Sequence, residues 1–232
     1  MTSFAKLTVA GLAASAALVP LPAAAQVAGI ATTSPEIVIA RAAARVAAYQ
    51  QIQTTYQAQI TQIGTLRQEV QTLARSLDTN SDNQISDAER TAKPAVITQI
   101  QQKEQQVSTV ATPITLAQAY VLEQLAREYD AARQQVATAK RIQIMLTPDA
   151  IQWAPPAVDV TSDIVAALNT RRPTVATTVP AGWQPSQQVL QLHQAVQQIQ
   201  VAAAQQAAAQ QAQPAATTPA QPAAQQPRPT GR

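Results

Sequence analysis

The sequence predicts a mainly α-helical protein, a long antiparallel coiled-coil hairpin projecting from a small body of short strands. Three observations predict it. Two stretches with apolar residues at heptad spacing flank a single acidic loop. Glycine and aromatic residues are scarce, with 5 Gly and one Phe, while Ala and Gln abound, so the chain suits long helices with a thin apolar seam. Short apolar runs of strand character sit at the two ends of the helical stretch.

The first residues read as a leader. Met1–Lys6 supplies a positive n-region, Leu7–Pro20 an apolar h-region, and Ala23-Ala24-Ala25 a small-residue cleavage site, which places the mature start near Gln26. The apolar run falls short of the roughly 20 residues that span a bilayer, and no later run is longer, so membrane contact is expected to be at most peripheral. Cysteine is absent, which excludes disulfides, zinc–thiolate sites and thiol nucleophiles. Without Lys6 the chain carries 15 basic and 13 acidic residues. The basic ones are too dispersed to track phosphates, so nucleic acid is not an expected partner.

Gln26–Thr32 reads as a strand. Ser34-Pro35-Glu36 opens a helix, with a hydroxyl at the N-cap, proline at the first helical position and an acid in the first turn. The outgoing shaft then presents Tyr49, Gln53, Tyr56, Ile60, Ile63, Arg67, Val70, Ala74 and Leu77 at alternating steps of 4 and 3. After the loop the spacing returns in Val96, Ile100, Lys103, Val107, Val110, Ile114, Ala117 and Val121, continued by Leu125, Tyr129, Ala132 and Val136. Two such segments joined by a short loop bury their stripes most simply against each other. Pro94 and Pro113 interrupt the return shaft and predict a kinked or hinged arm.

Arg141–Thr147 alternates as a half-buried strand, and Ala150–Ala154 can pair back with it across Pro148-Asp149. Trp153 is expected to anchor that sheet. Thr161-Ser162-Asp163 caps a short helix, Ile164–Leu168. Ser186–Gln213 can form a Gln/Ala-rich helix with Val189, Leu192, Val196 and Ile199 on one face, and Pro214–Arg232 is low-complexity sequence. The organisation expected is therefore a leader at 1–25, a body at 26–45 and 140–170, an arm at 46–139 and a largely disordered tail at 171–232.

The loop at the arm tip carries the sharpest motif. Against a twelve-residue EF-hand loop, Asp78, Asn80 and Asp82 take positions 1, 3 and 5. Gln84 offers its carbonyl at position 7, Ser86 stands at 9 and Glu89 at 12. Asn83 replaces the glycine expected at the sharp turn. Calcium is thus the one candidate cofactor and none is required; a polar reversal rich in Asp, Asn and Ser explains the same residues. Catalysis finds no support, so no enzyme is expected. His193 is the only histidine and has no evident partner, while Glu123, Glu128 and Asp130 lie among Arg127 and Arg133 as a solvated face.

The layout resembles the Skp/OmpH family of periplasmic chaperones. The resemblance is most specific at Lys140–Asn169, an apolar strand, an Asp-Ala turn, an aromatic before a loop and a Val-Asp-Val-Thr helix entry, and at Gln26–Ile39. It implies a homotrimer of jellyfish shape, with three β segments in a central body and three hairpin arms around a cavity. It further implies periplasmic location and ATP-independent holding of unfolded outer-membrane β-barrel proteins. The alternatives are a structural or adaptor protein of the cell envelope, and a calcium-responsive binding module working through the tip loop.

Overall fold

Strand β1 (Ile30–Thr32) opens the part of the chain that the computed structural model describes, residues 29–212. The leader, residues 26–28 and residues 213–232 lie outside it. Six further helices and a second strand follow the first helix: α1 (Pro35–Arg41), α2 (Ala43–Thr55), α3 (Gln57–Leu77), α4 (Asp87–Ala92), α5 (Pro94–Ala139), β2 (Ile144–Leu146), α6 (Thr161–Arg171) and α7 (Gln187–Ala212). Mainly α with one small sheet is the observed class.

The two strands pair in parallel, with Ile30 opposite Ile144 and Thr32 opposite Leu146. A parallel pair needs a long crossover, and here the whole arm is that crossover. The expected hairpin of Arg141–Thr147 with Ala150–Ala154 does not form. Pro148 starts a 3₁₀ turn, and Pro155 and Pro156, which have no N–H to donate, follow directly. The second edge of β1 is instead taken by Asp159, through a bridge to Thr32 and a hydrogen bond from Val160 N–H to Thr32 O at 3.0 Å. Trp153, expected as the sheet's anchor, is 82 % exposed.

Ser34 caps α1 as the sequence predicts, accepting from Ile37 N–H, and Pro35 sits in its first turn. The single long outgoing helix does not appear. The chain breaks at Ala42 and again at Tyr56. Ala42 itself carries no breaking signal; Asn169 of α6 supplies the missing cap, its Oδ1 accepting from Ala43 N–H at 2.8 Å. Helix α5 by contrast runs 46 residues, about 69 Å at 1.5 Å per residue, through Pro113 without interruption. Pro94 occupies its first turn, where a missing N–H costs little.

Helix α5 ends in a Schellman arrangement. Ile142 N–H donates to Ala137 O at 2.8 Å and Arg141 N–H to Thr138 O at 3.2 Å, with Arg141 at φ 54°. The core gathers at the root of the arm, where Val38, Ile39 and Ile52 meet Leu122 and Leu125 of α5, Ile164 and Leu168 of α6, and Val196 of α7. Helix α6 is longer than the expected Ile164–Leu168, because Asp159 accepts from Thr161 N–H at 2.9 Å and opens it earlier.

Residues 171–212 correct the expectation of a largely disordered tail. An extended strap, residues 173–186, crosses α5, and α7 then docks on α1 and α5 with Val189 and Val196 buried. The predicted face of α7 is the one that packs, since Leu192 and Ile199 lie half-buried beside Val196. From Val201 to Gln211 α7 is exposed.

Candidate functional site

The arm consists of α3 against the first half of α5. Glu69 pairs with Lys103 and Lys93 donates to Ser76 O, so the two shafts run antiparallel. Every predicted seam position of α5, from Val96 to Val136, is buried or half-buried. On the outgoing side the predicted seam holds at all but two positions. Tyr49, Tyr56, Ile60, Ile63, Val70, Ala74 and Leu77 are buried or half-buried as expected, but Gln53 of α2 and Arg67 of α3 are exposed. Ile52 and Leu66, one residue earlier, are buried in their place. Both registers keep heptad spacing; burying Leu66 rather than the Arg67 guanidinium avoids the cost of an unpaired charge.

The arm differs from its root in how dry it is. Between Gln57 and Leu116, Leu66, Leu77 and Glu89 are buried. Ile60, Ile63, Val70, Val96, Ile100, Val107 and Val110 all remain half-exposed along the seam. Outside the seam the surface is mostly Gln and Thr, as around the 410 Å³ groove lined by Gln62, Gln102, Gln105, Gln106, Thr109 and Val110. The exposed large apolar side chains lie elsewhere, with Ile30, Ile144 and Leu146 together on the paired strands. No helix among the described residues is long and apolar enough to cross a membrane.

At the tip, Glu89 closes the loop. Thr79 donates to its Oε1 from N–H and hydroxyl at 2.7 and 2.8 Å, and Ser86 to its Oε2 at 3.0 and 2.8 Å. Ser86 Oγ in turn accepts from Glu89 N–H at 3.3 Å, a capping box that starts α4. These four donors favour the charged carboxylate and hold its pKa down at about 2.

The other motif positions make local turns. Asp78 Oδ2 accepts from Asn83 N–H at 2.9 Å, Asp82 Oδ1 from Gln84 N–H at 2.7 Å, and Asn80 bonds Asp82 through both its amide atoms. Asn83 adopts φ 61° and Ser81 φ 60°, so Asn83 supplies the left-handed turn that glycine usually provides. Asp78, Asn80, Asp82, Gln84, Ser86 and Glu89 thus share one loop, but its acids are not drawn together. Among the described residues no group of three or more His, Cys, Asp or Glu stands close enough to hold a metal ion.

The acids of α5 behave as a charged face. Glu123 pairs with Arg127, Asp130 with Arg133, and Glu128 reaches Arg171 of α6. His193 is not the isolated surface residue expected. Its Nε2 lies 3.1 Å from Gln118 Oε1 between α7 and α5, and burial lowers its pKa.

Sequence reasoning missed Gln124. It is 7 % exposed, amid the apolar residues Leu122 and Leu125. Its amide donates to Ala176 O at 2.9 Å and accepts from Ala176 N–H at 3.0 Å. A polar residue on an otherwise apolar helix face was the only available signal.

Residues 29–168 match the model of a family described as Outer membrane protein (OmpH-like). A solved structure that is similar is a candidate outer membrane chaperone (OmpH-like) from Caulobacter crescentus CB15. The match covers 64 % of this chain and 88 % of that one, at 20 % identity and a TM-score of 0.42. No curated protein matches the chain. With more than half of its sequence spanned by the family model, the chain belongs to the OmpH-like outer membrane protein family.

Proposed function

We propose that the protein is a periplasmic, ATP-independent holdase that binds unfolded outer-membrane β-barrel proteins between the arms of a homotrimer. The observation that carries this reading is the arm itself. Its seam leaves aliphatic side chains half-exposed all along its length, from Ile60 to Val110, within a surface rich in Gln and Thr. Such a face offers weak, distributed apolar contact and hydrogen bonds without a fixed pocket, which suits unfolded chains of varied sequence. Trimerisation is favoured by the two-stranded sheet. A pair of strands is marginal alone, and Ile30, Ile144 and Leu146 remain exposed on it.

The test dilutes a urea-denatured outer-membrane β-barrel into buffer holding the purified protein and follows light scattering. Suppression saturating near one trimer per client supports the holdase. No suppression at several-fold excess of a trimer, verified by sedimentation, leaves a structural or adaptor role in the envelope as the better account.

Calcium at the tip is a second reading, favoured by Asp78 Oδ1, which is buried without a partner. It requires Glu89 to give up Thr79 and Ser86 as donors. Terbium luminescence at the loop, competed by calcium, supports it; no signal at millimolar ion removes it.

A further inference from the structure

The strap between α6 and α7 carries no helix or strand, yet it is ordered as an extended chain. From Val175 to Pro180 its residues alternate between half-buried and exposed, so Val175, Thr177 and Val179 face inward while Ala176, Thr178 and Pro180 face out. Period-two alternation is the pattern of a strand lying on a surface. Its one internal backbone bond, Trp183 N–H to Pro180 O at 3.1 Å, closes a turn in which Gly182 takes φ 73°. That turn brings Trp183 back to α5, where its Nε1 donates to Glu123 Oε2 at 2.6 Å and its ring meets Tyr120 edge-on at 5.1 Å.

What receives the strap is built for a backbone. Gln124 satisfies both the N–H and the C=O of Ala176, as a neighbouring strand would, and the outward Ala176 side chain plays no part. Beside it, the inward Thr177 and Val179 line a cavity of about 290 Å³ with Ile52, Tyr56, Pro113 and Leu116. Recognition by backbone plus small inward β-branched residues is largely independent of sequence.

We propose that this face of α5, from Pro113 to Glu123 and Gln124, is a binding groove for an extended peptide with β-branched residues at alternate positions. In the folded chain residues 173–184 fill the groove, and a strand-forming segment of a client displaces them. The displacement step rests on the holdase reading; the groove itself does not. Tethered at both ends, the strap competes at an effective concentration on the order of millimolar, so the groove opens to clients held elsewhere on the arm and not to stray peptide.

Two measurements separate these parts. The first adds a fluorescein-labelled peptide of residues 173–184 to full-length protein carrying Val179→Ser and Trp183→Ala, which loosen the strap. Binding should be at least tenfold tighter than to the wild type and lost when Gln124→Ala is added, with circular dichroism showing the fold intact. If Gln124→Ala unfolds the protein, competition by unlabelled peptide, and by one with proline at position 176, replaces it. No peptide binding to the loosened variant overturns the groove, whatever the protein does with clients.

The second uses Trp153→Phe, which leaves Trp183 as the only tryptophan, and adds the urea-denatured β-barrel. Displacement predicts a red-shifted emission and greater acrylamide quenching. Scattering suppression without any change at Trp183 overturns the displacement, whereas absence of suppression is a failure of the holdase reading and leaves the peptide measurement to decide the groove.

Discussion

Thr79 and Glu89 stand on opposite sides of the arm's reversal, and two donors of Thr79 converge on one carboxylate oxygen of Glu89. Because the partnered form is the anion, the folded pKa of about 2 lies below the unfolded carboxylate value of about 4.3. The stabilisation is therefore complete above about 4.3 and is lost as pH falls from there toward 2. Protection factors of the amides at residues 78–92, taken relative to the intrinsic exchange rate at each pH, should fall across that window while those of the body hold. Glu89→Gln should produce the same loss of protection at neutral pH; unchanged protection in the variant would show that Glu89 does not hold the tip.

Arg141 sits in the left-handed region at the end of α5, where a non-glycine residue costs about 1–2 kcal/mol. Arg141→Gly should raise global stability by about 1 kcal/mol, measured as a higher urea midpoint with an unchanged slope. A lower midpoint would mean that the arginine side chain contributes more than its backbone strain costs.

Asn169 caps a helix that begins 126 residues before it. Loss of a cap costs about 1 kcal/mol, so Asn169→Ala should lower stability by that amount, and Asn169→Asp should retain most of it. Equal loss in both variants would point to packing of α6 in place of the cap.

His193 has its pKa lowered by burial between α7 and α5, so it favours the docked state while neutral. Its contribution is present above the unfolded value of about 6.5 and is lost as pH falls below it. Protection factors of α7 amides, taken relative to the intrinsic exchange rate at each pH, should therefore fall between neutral pH and pH 5, and His193→Gln, which keeps a hydrogen bond within reach of Gln118, should flatten that dependence. A wild-type profile without slope would sink the assignment.

The features legible from sequence are those set by residues near one another in the chain. Ser34-Pro35 starts α1 and the Ser86–Glu89 box starts α4 because the cap and its helix are one local unit. The seam of α5 was legible because a 46-residue helix repeats one face. On the outgoing side the same rule missed only at Gln53 and Arg67, since Ile52 and Leu66 one residue earlier fit the same spacing and only the partner helix chooses between them. At the tip the sequence named the loop, but it could not say that Glu89 would turn to Thr79 and Ser86.

The sequence by itself therefore determined the helical hairpin, its reversal at Asp78–Glu89 and the apolar face of α7, because period and capping are local properties of the chain. Tertiary structure alone decided that β2 pairs in parallel with β1, that α2 begins at Ala43 and that the strap lies on Gln124. Each of these joins groups separated by 52 residues or more. Such a contact forms only after loop closure has been offset by other packing, and no local pattern records which distant partner will do so.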